Sequence, residues 1–250
     1  MIPKIIHQTW KTKDIPDQWK NAVFSCIEKN IDFKYILWTD ETMDKFVQDH
    51  YFWFYETYKS YKYHIQRCDA FRYLVLYKYG GVYLDLDIIC NENLNNFLDY
   101  ELVLVKSYGF FNSFTNSFFM VIPGHPFFKY CITNLSNNIN SYQYFGKHLH
   151  VMNSAGPLFL NKMINEYGEI NNMHILKQEE FAGDCNFCNE NTCKGGIYFT
   201  HLRGHSWHGI DSTIYNFLFC NKVTIIIVLL VIFYYLIKKY NKKNIINLNT

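Results

Sequence analysis

Between Val82 and Ile88 the chain reads Val-Tyr-Leu-Asp-Leu-Asp-Ile, so two carboxylates stand two residues apart inside an apolar run. An apolar strand cannot keep two neighbouring like charges without something to neutralise them. In an extended backbone the side chains alternate: Asp85 and Asp87 share one face, Val82, Leu84, Leu86 and Ile88 the other, and the two acids lie about 7 Å apart at roughly 3.3 Å rise per residue. That spacing lets both acids hold one cation and its ligand, directly or through water. Carboxylate oxygens suit Mn²⁺ or Mg²⁺, which in turn prefer the oxygens of a diphosphate. The bland alternative is a solvated pair at a strand end, because an isolated Asp-x-Asp is a short motif.

The run is entered from a helix. Phe71, Leu74, Val75 and Tyr79 recur at helical spacing across residues 63–79, Lys78 sits in the last turn, and Gly80-Gly81 suits a left-handed cap. Asp69 and Arg72 are three apart on one face of this helix among apolar neighbours, which predicts a partly buried pair at the edge of a site. A guanidinium there clamps a carboxylate or phosphate through two hydrogen bonds. Residues 4–9, 33–38, 82–89, 102–106, 118–122 and 197–201 read as strands, and residues 16–29, 41–50 and a stretch after Pro157 as helices. This alternation of short apolar runs and helical periods predicts an α/β domain with a mostly parallel sheet, placed at residues 1–213. With 250 residues, 49% of them hydrophobic, the chain has a core large enough to fold. A net charge of +2 gives no basic excess to drive binding to nucleic acid.

From Val223 to Ile237 every residue except Thr224 is apolar or Tyr, and the pattern extends upstream to Phe217. Residues 214–237 are therefore expected to form a juxtamembrane and transmembrane segment, a single-pass C-terminal anchor, with a basic tail at 238–250. The two cues to orientation conflict: Lys238, Lys239, Lys242 and Lys243 favour a cytosolic tail, whereas the absence of a signal-peptide pattern at the start favours a cytosolic catalytic domain. Cys26, Cys68, Cys90, Cys131 and Cys220 lie singly in apolar or periodic segments and read as buried thiols. Cys185, Cys188 and Cys193, spaced C-x2-C-x4-C, read as free thiols, with a zinc site completed by His201 or a disulfide as alternatives. His7 reads as a hydrogen-bonded core histidine.

The segment Ile2-Pro3-Lys4-Ile5-Ile6-His7-Gln8-Thr9-Trp10, followed by Ile15-Pro16, Trp19 and Leu37-Trp38-Thr39-Asp40, resembles the opening of glycosyltransferase family 32. So does Arg67-Cys68-Asp69-Ala70-Phe71-Arg72-Tyr73 running into Gly80-Gly81-Val82-Tyr83-Leu84-Asp85-Leu86-Asp87. Pro123-Gly124-His125-Pro126, Ser154-Ala155-Gly156-Pro157 and Ser206-Trp207 look like later landmarks of the same family, which includes the yeast Golgi initiating mannosyltransferase and capsular polysaccharide enzymes. The family usually has Thr where Ser154 stands.

The resemblance implies a GT-A, Rossmann-like fold and a retaining hexosyl transfer from a GDP- or UDP-sugar to a glycan, glycolipid or protein acceptor. By the same resemblance Asp87 is the principal metal ligand, Asp85 contacts metal or ribose, and Asp69 and Arg72 hold the donor sugar. Trp10 stacks on the base, Ser206 and Trp207 close over the diphosphate, and His201 or His205 completes the metal shell. The sequence alone does not show whether an enzyme nucleophile takes part; Asn116 and Asp184 are the residues considered for it. Two rivals stand beside this reading: a metal-dependent phosphohydrolase, which Asp-x-Asp also serves, and a catalytically degenerate glycan-binding protein on the same fold.

Overall fold

A computed structural model describes residues 1–106, 113–181, 188, 195–202, 204 and 206–247. The chain divides into two units, Met1–Trp207 and His208–Thr250.

The first unit is built on a six-stranded sheet. Its strands are β1 (Ile5–Thr9), β2 (Lys34–Trp38), β3 (Gly81–Leu84), β5 (Leu102–Lys106), β6 (Phe114–Val121) and β7 (Met173–Leu176), in the order β2-β1-β3-β6-β5-β7. β1 pairs in parallel with β2 and β3, and β5 with β7, while β6 runs antiparallel to both of its neighbours. The sheet is thus mostly parallel, as predicted. The short strands β4 (Ile88–Cys90) and β8 (Phe199–His201) form a separate antiparallel pair.

Side-chain alternation along the strands divides the core between the two faces of the sheet. Tyr83, Phe119 and Leu104 face one way, against helices α2 (Asp40–His50), α3 (Phe52–Ser60), α4 (His64–Tyr79), α5 (Pro126–Asn138) and α7 (Pro157–Tyr167). Val82, Leu84, Phe118 and Met120 face the other way, among Ile6, Phe97, Phe199 and Phe181 of the short helix α8 (Gln178–Phe181). The expected helices at 16–29, 41–50 and 63–79 are present as α1 (Asp17–Lys29), α2 and α4. Helices α3, α5 and α6 (Gly146–Ser154) have no counterpart in the sequence reading, because their aromatic-rich or polar segments lack a clean apolar stripe.

The return from α4 into β3 is possible only with glycine. Gly80 and Gly81 have φ of 62° and 95°, and a Cβ at Gly81 would lie 2.5 Å from the Ile5 carbonyl oxygen. This close approach seats β3 against β1.

His7 is fully buried in β1, where Trp38 Nε1 donates to its Nδ1 (3.1 Å) and its Nε2 lies 3.1 Å from the Gly80 carbonyl. It is the hydrogen-bonded core histidine the sequence predicted. Burial pushes its pKa from 6.5 down to about 4. The unfolded chain therefore takes up a proton between those values that the folded protein refuses, and stability should fall as the pH drops through that window. The loss attributable to His7 is about 3 kcal/mol at most. Urea unfolding at neutral and at acid pH should show His7→Gln losing less stability between the two than the parent; equal losses would place the acid sensitivity elsewhere.

Cysteine chemistry departs from the reading. Cys26 on α1 and Cys90 on β4, expected as buried thiols, are buried but joined in a disulfide, with Cα atoms 4.8 Å apart. Closing a loop of 64 residues stabilises by about 4 kcal/mol in the chain-entropy account. Two positions that are apolar by sequence context were brought together only by the packing of β4 onto α1. Cys220 is exposed and disulfide-bonded rather than a buried thiol, and Cys188, read as free, is also disulfide-bonded. Cys185 and Cys193 lie outside the described residues. Cys68 and Cys131 are free.

The second unit holds α9 (Ile210–Cys220) and α10 (Lys222–Asn247). The apolar run expected to cross a membrane as one helix is interrupted at Asn221, which caps α9 with its N–H on the Phe217 carbonyl. Among the described residues no single helix is long and apolar enough to span a bilayer. Ile210–Cys220 and Lys222–Tyr234 pass that test only together, bent by 73°.

Candidate active site

β3 ends at Leu84, and the Asp-x-Asp segment leaves the sheet. The Asp85 N–H still donates to the Ser117 carbonyl of β6 (3.0 Å), but the Ile88 N–H then turns back to the Asp85 carbonyl (3.3 Å) and β4 departs to pair with β8. Residues 85–87 therefore form a turn, not the middle of a strand over 82–89. The alternation argument for a shared face fails there, because Ile88 and Cys90 find their partners in Phe199–His201 instead of in the main sheet. The turn gives the acids different surroundings: the Asp85 side chain is one-third exposed, that of Asp87 12%.

Asp85 is fixed from beneath. Its Oδ1 accepts from the Tyr83 hydroxyl (3.0 Å) and lies 3.5 Å from Arg72 Nη2; Tyr83 in turn shares a hydrogen bond with Thr9 (3.0 Å). Gln8 Nε2 donates to the Asp85 carbonyl (3.3 Å), and Tyr35 orients Gln8. Arg72 is the hub. Its guanidinium pairs with Asp69 at 2.9 Å, donates to the Asn116 carbonyl, and lies over the Tyr83 ring at 4.7 Å. Asn116 closes the circuit by donating from Nδ2 to Asp69 Oδ1 (3.0 Å).

Asp69 and Arg72 are both almost fully buried, deeper than the partly buried pair predicted. Burial pushes Asp69 up to about 6, even though Arg72 and Asn116 act to lower it. Burial works against the Arg72 charge, but Asp85, Tyr83 and Asp69 outweigh it and keep the guanidinium protonated. The Asp85 carboxyl is raised, chiefly by burial, with Arg72 opposing.

Asp87 is held from the opposite side. Its Oδ2 lies 3.2 Å from His201 Nε2 on β8 and accepts from the Gly204 N–H. Burial pushes this carboxyl up, but His201 and Gly204 outweigh it and hold it below the usual carboxylate range. A Cβ at Gly204 would stand 3.0 Å from Asp87 Oδ2 and 3.2 Å from the Trp19 ring, so the absent side chain is what admits the close approach. The second oxygen, Asp87 Oδ1, is buried without a hydrogen-bond partner. An unsatisfied buried carboxylate oxygen beside a partly exposed second carboxylate is the donor chemistry a hard divalent cation requires. Among the described residues no three acidic, His or Cys side chains converge as a ligand set. The pair suits a cation that takes its remaining ligands from phosphate oxygens and water.

Trp10 follows β1 at its carboxyl end, the edge of an open α/β sheet where ligands bind. It is half-buried, with Lys11 Nζ 6.0 Å over its ring. Ser206 is exposed, and Trp207 stacks on His148 of α6 (5.4 Å, 17°). His205 and Asp184 lie outside the described residues. The structure thus gathers Asp69, Arg72 and Asp85 into one network and joins Asp87 to His201. The sequence reading gave no site role to Tyr83, Thr9, Gln8 or Trp19, although all four stand in the segments that carry the family resemblance, and did not single out His148. Tyr83 was findable, since it shares the period-two face of Asp85; the others depend on contacts between distant segments.

Residues 16–104 match a family described as a glycosyltransferase sugar-binding region containing a DXD motif. The chain is 37% identical over 224 residues to inositol phosphoceramide mannosyltransferase 2 of Schizosaccharomyces pombe, covering 86% of this chain and 60% of that protein. It is 35% identical over 230 residues to inositol phosphoceramide mannosyltransferase 1 of the same organism, covering 90% and 68%. The chain spans less than two thirds of the first of these relatives. Among solved structures the PaToxG glycosyltransferase overlays with a TM-score of 0.52 at 22% identity, covering 66% of this chain and 70% of that one, a likeness of fold.

Proposed function

The chain belongs to the glycosyltransferases whose sugar-binding region contains a DXD motif, and on that footing we propose that it moves mannose from a nucleotide sugar to an inositol phosphoceramide-type glycolipid, with retention and with a divalent cation. The observation that carries the reading is the turn at residues 85–87, where Asp87 Oδ1 is buried and unpartnered beside a rigidly held Asp85. Asp85 and Asp87, with His201 beside them, would hold Mn²⁺ or Mg²⁺, which supplies positive charge against the leaving diphosphate.

This chain's own residues do the rest. Trp10 offers a π face to the nucleoside base at the carboxyl edge of the sheet. Asp69 and Arg72 position Asp85 and the sugar side of the pocket, and their mutual pairing keeps Asp85 from turning away. Ser206 and Trp207 form the flank that shields the diphosphate from water. As the anomeric carbon–oxygen bond to the diphosphate breaks, an acceptor hydroxyl oxygen bonds to that carbon, and its proton passes to the departing phosphate oxygen.

The second unit serves as the membrane anchor, a role its apolar composition supports. The Cys26–Cys90 disulfide favours an oxidising compartment for the first unit, and the four lysines from Lys238 to Lys243 favour a cytosolic tail. The disulfide sides with the lysine cue and against the signal-peptide cue.

The test uses the full chain in detergent with GDP-mannose, UDP-glucose or UDP-galactose, inositol phosphoceramide as acceptor, and Mn²⁺ or chelator, reading nucleoside diphosphate release and lipid mass. Mannosylated lipid formed from GDP-mannose only with metal is expected. Undiminished transfer in chelator would remove the cation, a UDP-sugar preference would replace mannose, and no transfer from any donor would overturn the assignment.

A further inference from the structure

Beyond the Asp-x-Asp turn, the start of α4 carries an arrangement that the donor chemistry does not use. Lys62 Nζ lies 5.3 Å and Lys147 Nζ 5.6 Å from the centroid of one ring, that of Tyr63, the residue capping α4. These two lysines come from segments 85 positions apart, yet both ammonium groups gather on the same aromatic. Lys4, Lys20, Lys45, Lys59 and Lys162 each pair with a carboxylate. Among the described residues neither Lys62 nor Lys147 does, which is true also of Lys11 and Lys34; what sets these two apart is the single ring they share. Each ammonium is attracted by the Tyr63 π face, and together they place two positive charges around one partly buried ring, where an anion finds both.

The patch is tied to the active site by packing. His150 meets the Tyr63 ring edge-on at 5.8 Å, and Gln66 Nε2 donates to Ser154 Oγ (2.7 Å), fixing α4 to α6. The next residue after Lys147, His148, stacks on Trp207, beyond Gly204 whose N–H holds Asp87. Just before α6, Tyr142, Tyr144 and Phe145 are 53%, 90% and 61% exposed. Exposed aromatics next to lysines are the composition of a surface that lies at the headgroup level of a bilayer.

We infer that Lys62 and Lys147, gathered over Tyr63, form a binding site for the phosphodiester of an anionic lipid acceptor, with the aromatic turn at residues 142–145 seated in the headgroup layer. This rests on the glycolipid reading above and adds to it how the acceptor is recognised: by its phosphate charge, on the α4–α6 flank, apart from the donor diphosphate at Asp85 and Asp87. The lipid surface is the occupant favoured over free phosphate, because the aromatic turn beside the lysines has no use in binding a soluble ion.

The test measures binding to the full chain in neutral detergent, without donor, of dihexanoyl phosphatidylinositol, inorganic phosphate or myo-inositol, for the parent and for Lys62→Gln/Lys147→Gln. The parent is expected to bind the short-chain phosphoinositide roughly 30-fold more tightly than the double variant, from the usual contribution of each lysine near a lipid headgroup. Tyr144→Ser/Phe145→Ser, with both lysines intact, should also weaken it while leaving inorganic phosphate binding, if any, unchanged. Equal binding of the phosphoinositide to parent and double variant overturns the proposal. So does inorganic phosphate competing as strongly as the lipid, which would make this a soluble-anion site. Because no transfer is read, a failure of the mannosyltransferase reading leaves this result decisive. Where transfer is found, the acceptor KM should rise in the double variant and the donor KM should not.

Discussion

Asp87→Asn should remove transfer, by about a thousandfold or more, while the protein still folds. The asymmetry follows from the two oxygens of this side chain. An Asn at this position still offers one carbonyl oxygen to the Gly204 N–H, so the contact between the turn and the loop that follows β8 survives. What disappears is the negative charge. In the parent, His201 and Gly204 hold the Asp87 carboxyl below the usual range, so it is fully ionised at neutral pH with its unpartnered Oδ1 available. Losing one electrostatic stabiliser of a charged transition state costs about a hundred- to a thousandfold in turnover, and losing a cation's anchor costs at least that. Two measurements separate loss of site from loss of fold. Thermal unfolding should place parent and variant close together without metal, and Mn²⁺ should raise the midpoint of the parent alone, since only a folded state that binds is stabilised. A variant that turns over at the parental rate would remove Asp87 from the site.

The second large effect concerns Arg72, and it is expected in stability as much as in rate. Arg72→Ala leaves Asp69 and Asp85 facing each other with no cation between them, and leaves the Asn116 carbonyl without its donor. Removing one partner from a buried ion pair typically costs about 3–5 kcal/mol, because the remaining charge is stranded. For a chain of this size that is a fall of roughly 10 °C in unfolding midpoint. Arg72→Lys restores one charge but not the planar fork that reaches Asp69, Asp85 and Asn116 together, so most of the transfer rate should stay lost. The diagnostic is coupling. Asp69→Asn introduced into Arg72→Ala should recover part of the stability, since it removes a stranded carboxylate, whereas Asp69→Asn alone should destabilise. An Arg72→Ala protein that unfolds at the parental temperature would show that the hub carries no structural load.

Residues close together in sequence were readable, and residues brought together by the chain's return were not. Asp69 and Arg72 share a helical face, so their pairing was predictable from a spacing of three; that Asn116 completes the pair depends on β6 running antiparallel beside β3. The Cys26–Cys90 disulfide was hidden for the same reason, since each cysteine sits in an apolar context that equally describes a buried thiol. The error at Asp85 and Asp87 has a different origin. An alternating pattern reports where side chains would point if the strand continued, but strand continuation depends on a hydrogen-bonding neighbour, and after Asp85 that neighbour changes from β6 to β8.

The α/β alternation, the glycines that let α4 return into β3, the two-residue spacing of the acid pair and the apolar C-terminal stretch were all legible along the chain. These are properties of local spacing and composition, where each residue's preference is set by its near neighbours. Long-range packing alone fixes Asp85 between Arg72 and Tyr83 and Asp87 between His201 and Gly204, and brings Lys62 and Lys147 to one ring. Each of those is a contact across a long stretch of chain, and its energy depends on burial and on which partners the fold delivers, quantities a spacing along the chain does not contain.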